Sequence, residues 1–174
     1  HIRKVTEVDL RHTAPKAELT PAQITEGKGR VGSLLYTATC TRPDLSFEVS
    51  HIGSRMNPGA LKQVMLDCNK AVRRAKATEE RGLTFRRVAE DWADVIICVF
   101  SDAGWATRPS LHSQAGGLIF LANRRLLLGE VSLSGLVDWV SSKITWMTSS
   151  AHDAEAHACR MNAQTAEHLQ FFMY

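Results

Sequence analysis

The sequence predicts an α+β fold, in which a helical region precedes a three-stranded antiparallel sheet and a carboxy-terminal helix. In the first half of the chain, apolar residues recur at helical spacing in three consecutive segments. Three strong β-prone runs follow, and an alanine-rich helical segment comes after them. Consecutive strands followed by a helix are typical of α+β architectures, because such strands pair through short antiparallel connections.

Turn signals and a change from helical to strand-like sequence patterns divide the chain into three parts. Residues 1–29 contain extended and turn signals without a sustained period, so we interpret them as a linker. The helical region covers 30–87, and the region with the sheet covers 88–174. Three helices are predicted in the helical region, and the first begins near Arg30. The apolar face of the first helix is Val31, Leu34, Leu35 and Ala38; that of the second is Leu45, Val49, Ile52 and Met56; and that of the third is Val64, Cys68, Val72 and Ala75.

The strands of the second half are predicted from runs of β-branched and aromatic residues. The three strong strands are 94–101, 115–122 and 137–142, and residues 83–85 form a short strand candidate. In the third strand, alternation places Val137 and Trp139 on one face, with Ser141 as a candidate for the same face. The glycines at 116–117 indicate a bulge or close packing, and the serines at 149–150 are candidate caps of the final helix.

Composition excludes several classes of protein. Of the 174 residues, 44% are hydrophobic, which supports a packed core and argues against a disordered chain. No apolar run reaches the length of a membrane span. The four cysteines are scattered, so we interpret them as buried free thiols in a reducing, intracellular compartment, cytoplasm or nucleus, and not as disulfides or a zinc site.

Charge is distributed unevenly along the chain. Residues 1–87 contain 16 Lys and Arg against 9 Asp and Glu, whereas residues 88–174 contain 5 against 9. A basic half beside an acidic half suggests a surface for polyanions next to a surface for cations. The alternative is two solvated faces without a partner. Candidate contacts to nucleic-acid phosphates are Lys70, Arg73, Arg74 and Lys76, for which a solvated helix face is the open alternative.

Two carboxylates in separate segments are candidate metal ligands. Asp102 follows the strand predicted at 94–101, and Glu155 lies in the first turns of the final helix. Two-metal hydrolysis of phosphodiesters needs carboxylates that hold Mg²⁺ ions about 3.5–4 Å apart. Each residue has a structural alternative, since Asp is common in turns and Glu is favoured at helix amino termini. Alanines at 154, 156 and 158 would let the helix approach the sheet, which favours an inward Glu155.

Several segments resemble, in order, the polyprotein of copia-type retrotransposons. Residues 31–44, VGSLLYTATCTRPD, are similar to the family's VGSLLY-LA-x-TRPD stretch. Residues 101–106, SDAGWA, match its SDADWA, and residues 139–143, WVSSK, match its WxSKKQ. Residues 149–158 resemble SSTEAEYxA, and weaker similarity covers 56–58 and 71–83. The resemblance extends over about residues 30–165.

The resemblance implies the end of a reverse transcriptase followed by the start of a ribonuclease H-like domain. Such a domain cuts the RNA strand of an RNA–DNA hybrid with Mg²⁺ (or Mn²⁺), and its catalytic metal ligands map to Asp102 and Glu155. Asp153 is a weaker candidate for the helix carboxylate. The family's next strand, with a third metal-binding aspartate, and the paired palm aspartates have no counterpart here.

These departures lead us to expect an incomplete ribonuclease H fold with weak or no hydrolysis. The rest of the same polyprotein is the partner expected to complete it. Two alternatives stay open, a nucleic-acid-binding module without chemistry and a degenerate transposon remnant. A remnant would leave an unpaired sheet edge, which promotes aggregation.

Overall fold

Four α-helices and one three-stranded antiparallel sheet form two separate units within residues 2–108 and 111–173, which the computed structural model describes. The predicted α+β class is confirmed. The helical unit, His1–Gly82, contains α1 (Pro21–Cys40), α2 (Ser46–Arg55) and α3 (Lys62–Ala77). The sheet unit, Leu83–Tyr174, contains β1 (Val95–Gly104), β2 (Gln114–Asn123), β3 (Ser134–Lys143) and α4 (Ala151–Met173).

The predicted apolar faces form the core of the helical unit. All eight residues predicted for the second and third helical faces are buried, and Leu34 and Ala38 of the first face are buried with them. Leu35 is largely exposed, because α1 presents a narrower face than its pattern suggests. The predicted start near Arg30 is wrong. The helix begins at Pro21, where the Thr20 hydroxyl accepts from the Gln23 amide and the Gln23 side chain accepts from the Thr20 amide.

The segment interpreted as a linker packs in the same core. Val5, Val8 and Leu19 are buried in the helical unit's apolar cluster. The buried Asn69 side chain of α3 accepts from the Val8 amide at 2.9 Å and donates to the Val8 carbonyl at 2.8 Å. This pairing replaces the water that an extended backbone would otherwise need. The amino-terminal segment is therefore a packed part of the helical unit, which its irregular sequence pattern does not reveal.

The buried side chain of Arg42 joins the end of α3 to the turn before α2. Its guanidinium donates from Nε and Nη2 to the two carboxylate oxygens of Asp44, at 2.8 and 2.9 Å. It also donates to the Thr78 carbonyl at 2.8 Å and to the Thr78 hydroxyl at 2.7 Å. A cation at the carboxy terminus of α3 complements the helix dipole and satisfies a terminal carbonyl. The Thr-Arg-Pro-Asp stretch thus has a structural role in this chain.

The sheet has the order β1-β2-β3, so β2 is central, and no other described strand pairs with the outer edge of β1. β2 and β3 extend beyond both ends of their predicted ranges, whereas β1 begins one residue later than predicted and extends only at its carboxy-terminal end. Residues 83–85, the fourth strand candidate, do not form a strand. A bulge lies in β3, since Ile119 pairs with Asp138 but Phe120 pairs with Leu136. The bulge overturns the predicted shared face of Val137 and Trp139, because the extra residue reverses the alternation.

Helix α4 packs closely on one face of the sheet through small residues. Ala154 and Ala158 are fully buried in a cluster with Ala115, which agrees with the predicted close approach, whereas Ala156 is exposed. One turn further, the buried Asn162 lies directly over Gly117. The glycine pair therefore marks close packing, one of the two predicted alternatives.

The cysteines are free thiols, as predicted, but they differ in burial. Cys68 is fully buried in the helical unit, and burial raises the pKa of its thiol to about 11. Cys40 and Cys159 are exposed, so the expectation that all four are buried is wrong.

None of the described helices combines the length and apolarity needed to span a membrane.

Candidate metal and nucleic-acid sites

Asp102 lies within β1, two residues before the strand's end, and its side chain is exposed. The strand extends past the predicted end at residue 101. Asp102 pairs with Gly116, and the next residue, Ala103, packs against the cluster under α4. Since neighbouring side chains of a strand point to opposite faces, Asp102 lies on the face turned away from α4.

Glu155 lies at the same end of β1 as Asp102. Ala154, directly before Glu155, shares the alanine cluster with Ala103. At the other end of the helix, Met173 lines a small cavity with the first three residues of β1. Helix α4 therefore runs antiparallel to β1, with its first turns over the strand's carboxy-terminal end. Glu155 is partly buried there, on the helix that packs against the face of the sheet opposite to Asp102.

Polar residues of β2 and β3 lie at the same end of the sheet as Asp102. The row across the sheet is Asp102, Gly116 and Ser141, and the glycine leaves the middle of the row without a side chain. The amide of Gln114 donates to the Ser141 hydroxyl at 2.8 Å. The buried guanidinium of Arg108 donates from Nε to Gln114 Oε1 at 2.8 Å. A carboxylate, a hydroxyl and a hydrogen-bonded arginine thus converge at one end of the sheet.

The two carboxylates are the type of ligand that a hard divalent cation prefers, but they are too few to hold a pair of such cations. Carboxylate oxygens are the ligands that Mg²⁺ prefers, and it often binds one or two of them together with substrate phosphates. Within the described residues, however, no group of three or more His, Cys, Asp or Glu side chains lies close enough to hold a metal. The metal-ligand roles of Asp102 and Glu155 stay a prediction.

Other polar residues around the start of α4 have structural contacts. The Asp153 carboxylate accepts from the Ser149 amide at 2.8 Å, and the Ser150 hydroxyl accepts from the Asp153 amide at 3.1 Å. The predicted serine cap is confirmed, because the Ser150 hydroxyl accepts from the amide three residues later. His157 packs edge-on against Trp146, with ring centroids 4.1 Å apart. These contacts leave Glu155 as the carboxylate of the first turns that is outside the cap.

Three of the four predicted phosphate-binding cations share one face of α3. Lys70, Arg73 and Arg74 are spaced at i, i+3 and i+4, and all three are exposed. Arg73 forms an ion pair with Glu7, and Arg74 pairs with Glu48 at 3.0 Å.

Lys76, the fourth predicted cation, lies off that face and is partly buried. Within the described residues neither Lys70 nor Lys76 forms a salt bridge.

Sequence reasoning missed the polar residues of β2 and β3 at the same end of the sheet as Asp102, which are Gln114, Ser141 and Lys143. Gln114 pairs with Lys143, and Gly116 pairs with Ser141, so alternation along β2 and β3 would have found them once the register was known. Register is a property of strand pairing and depends on residues far apart in the chain.

Comparison of the chain with models of protein families, with curated proteins and with solved structures gave no match.

Proposed function

We propose that this chain is part of a retrotransposon polyprotein, comprising the end of a reverse transcriptase and the start of a ribonuclease H-like domain. The proposed family activity is Mg²⁺- or Mn²⁺-dependent hydrolysis of RNA in RNA–DNA hybrids, with Asp102 and Glu155 as catalytic metal ligands. The chain alone is proposed to be inactive, because two carboxylates are too few for a paired-metal clamp. Its free thiols favour an intracellular location.

The observation that carries the proposal is the position of the two carboxylates. An antiparallel meander is followed by a helix that runs back along β1, and this path brings Asp102 and Glu155 to one end of the strand. When bound, a divalent cation would polarise a phosphoryl oxygen and activate a water molecule. Ser141 lies in the same row of the sheet as Asp102, and its hydroxyl accepts from Gln114, which also accepts from the guanidinium of Arg108.

The open edge of β1 supports an incomplete domain. Among the described residues, the ten residues of β1 pair on one side only, and apolar side chains such as Phe100 are exposed beside that edge. Soluble proteins usually cover or charge such an edge. We propose that the remainder of the same polyprotein supplies the segment that covers it, together with further metal ligands.

Binding of Mn²⁺ tests the carboxylate pair directly. We expect Mn²⁺ to broaden the backbone NMR signals of residues 101–103 and 153–156 in the full chain before other signals. This broadening should disappear in Asp102→Asn, and the matched control Asp138→Asn should retain it, because Asp138 is an exposed carboxylate of β3. Broadening that persists in Asp102→Asn would contradict the proposed ligand.

The same protein, incubated with an RNA–DNA hybrid and Mg²⁺, is expected to give no cleavage above the Asp102→Asn background. Robust cleavage that Asp102→Asn abolishes would instead refute the inactivity of the isolated chain.

A second candidate function is nucleic-acid binding without chemistry. The exposed row of Lys70, Arg73 and Arg74 on α3 favours it, as does the excess of 14 Lys and Arg over 9 Asp and Glu in His1–Gly82. Most arginines of this unit are paired with its own carboxylates, so lysines carry much of the excess charge. The surface therefore offers a few phosphate contacts, and we expect it to bind nucleic acid with modest, salt-sensitive affinity.

Changing Lys70, Arg73 and Arg74 to Gln is expected to weaken hybrid binding and flatten its salt dependence. Each phosphate contact contributes about 0.9 to the slope of log K against log salt, so the slope should fall by about 2 or more. Fluorescence anisotropy at several salt concentrations measures it. Lys28→Gln, an exposed change on α1, is the control, and an unchanged slope in the triple variant would count against this function.

A further inference from the structure

The helical unit contains a cavity of about 400 Å³ between α2 and α3, which we call the α2–α3 groove. Phe47 and His51 line it from α2, Lys70 lines it from α3, and the buried Ile52 contributes to its lining. Its volume lies in the range typical of small-molecule pockets and is large enough for one nucleotide.

One wall of the α2–α3 groove is aromatic. Phe47 and His51 lie one helical turn apart, with ring planes inclined by 6° and ring centroids 5.8 Å apart. The side chain of Phe47 is 55% exposed, although a phenyl ring is normally buried. A planar ring can stack on such an exposed aromatic surface, and stacking of a nucleobase contributes about 1–3 kcal/mol.

The electrostatics of the groove favour a ligand with one anionic group. Arg55 pairs with Asp67 at 2.8 Å, and Arg74 pairs with Glu48 at 3.0 Å, so both arginines of the lining are neutralised. The remaining lysine of the lining, Lys70, is exposed and forms no salt bridge within the described residues. One unneutralised cation beside stacked rings matches one phosphate attached to one planar base.

We propose that the α2–α3 groove binds an unpaired nucleotide of single-stranded nucleic acid, with the base on Phe47 and a phosphate on Lys70. The proposal rests on the second function above, nucleic-acid binding by the helical unit, and specifies its ligand. A base inside a duplex is stacked on its neighbours and cannot reach Phe47, whereas an unpaired base can turn outward. The groove therefore discriminates single strands from duplexes, while the row of cations on α3 does not.

The test compares a single-stranded RNA 12-mer with an RNA–DNA hybrid of the same sequence. Phe47→Leu is expected to weaken binding of the single strand about fivefold or more and to leave hybrid affinity unchanged. Lys70→Gln should weaken both and lower the single-strand salt slope by about 0.7. Matched controls are Tyr36→Leu, an exposed aromatic residue of α1 outside the groove lining, and Lys28→Gln, an exposed change on α1, with circular dichroism to verify folding.

The outcomes separate the two proposals. If the wild-type chain binds the hybrid but Phe47→Leu does not alter single-strand affinity, the groove proposal is overturned and the binding function stands. If wild type binds neither nucleic acid, both are overturned. If polyglutamate of similar charge binds as tightly as the RNA and competes with it, the groove is a plain anion site and base recognition is overturned.

Discussion

Replacing Arg42 with methionine is expected to destabilise the helical unit by about 3 kcal/mol. The change removes both hydrogen bonds to Asp44 and leaves the Thr78 carbonyl without the guanidinium. Breaking a buried ion pair costs about 3–5 kcal/mol, and we take the lower end because the Asp44 side chain is 32% exposed. Urea unfolding followed by circular dichroism measures the loss, which is large against a typical stability of about 5–15 kcal/mol.

Two further variants serve as comparisons: one keeps the positive charge of Arg42 without the planar guanidinium, and the other removes an exposed ion pair. Arg42→Lys keeps the cation but cannot bind Asp44 and Thr78 together, so most of the loss should persist. Arg73→Met removes an exposed pair with Glu7 and should cost less than about 1 kcal/mol. If the free energy of unfolding of Arg42→Met is within about 1 kcal/mol of the wild-type value, Arg42 does not stabilise the contact between the end of α3 and the turn before α2.

The same contact makes stability depend on acid. The hydrogen bonds from Arg42 lower the pKa of the Asp44 carboxyl below its ordinary value. Because the folded pKa is depressed, this contribution is complete above the unfolded value of about 3.9 and is lost as pH falls through the folded value. Arg42→Met removes the largest cause of the lowered pKa, while Arg74, 3.7 Å from the Asp44 carboxylate, still lowers it. The difference in stability between wild type and variant should therefore narrow as the solution is acidified below about pH 4.

Replacing Gly117 with alanine is expected to destabilise the sheet unit by about 3 kcal/mol or more. A Cβ at Gly117 would lie within 1.8 Å of the Asn162 side-chain oxygen, so α4 must shift or Asn162 must turn away. Turning away sacrifices its donated hydrogen bonds to the Gly116 carbonyl at 3.0 Å and the Ala158 carbonyl at 2.9 Å. Overpacking costs about 1–3 kcal/mol, and each lost hydrogen bond adds about 1 kcal/mol.

The neighbouring glycine supplies the matched control. A Cβ at Gly116 would meet the nearest backbone atom, the Asp102 carbonyl oxygen, at 3.7 Å, an ordinary contact. Gly116→Ala should therefore be neutral or slightly stabilising, because alanine restricts the unfolded chain. Thermal unfolding and hydrogen exchange of the α4 amides compare the two variants. Adding Asn162→Ala to Gly117→Ala should recover part of the stability, and equal effects of the two glycine changes would contradict the close approach.

The amphipathic helices were predictable from the sequence because helical burial follows a local rule. In α2 and α3, residues three and four apart share a face whatever their partners are, and the faces ending in Met56 and Ala75 are buried as predicted. The cap at Ser150 is equally local, since its partner lies three residues away. Burial of the amino-terminal segment was not predictable, because Val8 is held by Asn69, 61 residues further along the chain.

The candidate site shows the same division between local and distant information. The sequence identified Asp102 and Glu155 as candidate ligands through the residue types in their segments and the resemblance that those segments carry. It could not assign their faces. Strand pairing decided that Asp102 shares a row with Gly116 and Ser141, on the side turned away from α4.

By itself, the sequence determined the α+β class, the helical faces, the approximate strands and the candidate carboxylates, since each depends on residues close in the chain. The tertiary structure decided the register, the bulge beside Val137, the contact of Asn162 with Gly117 and the polar neighbours of Asp102. These features depend on which distant segments come together, and a register shift of one residue would reverse every side chain of a strand. For Asp102, the local sequence was enough to identify a residue type suited to metal binding, whereas the pairing of three strands determined which residues lie near it.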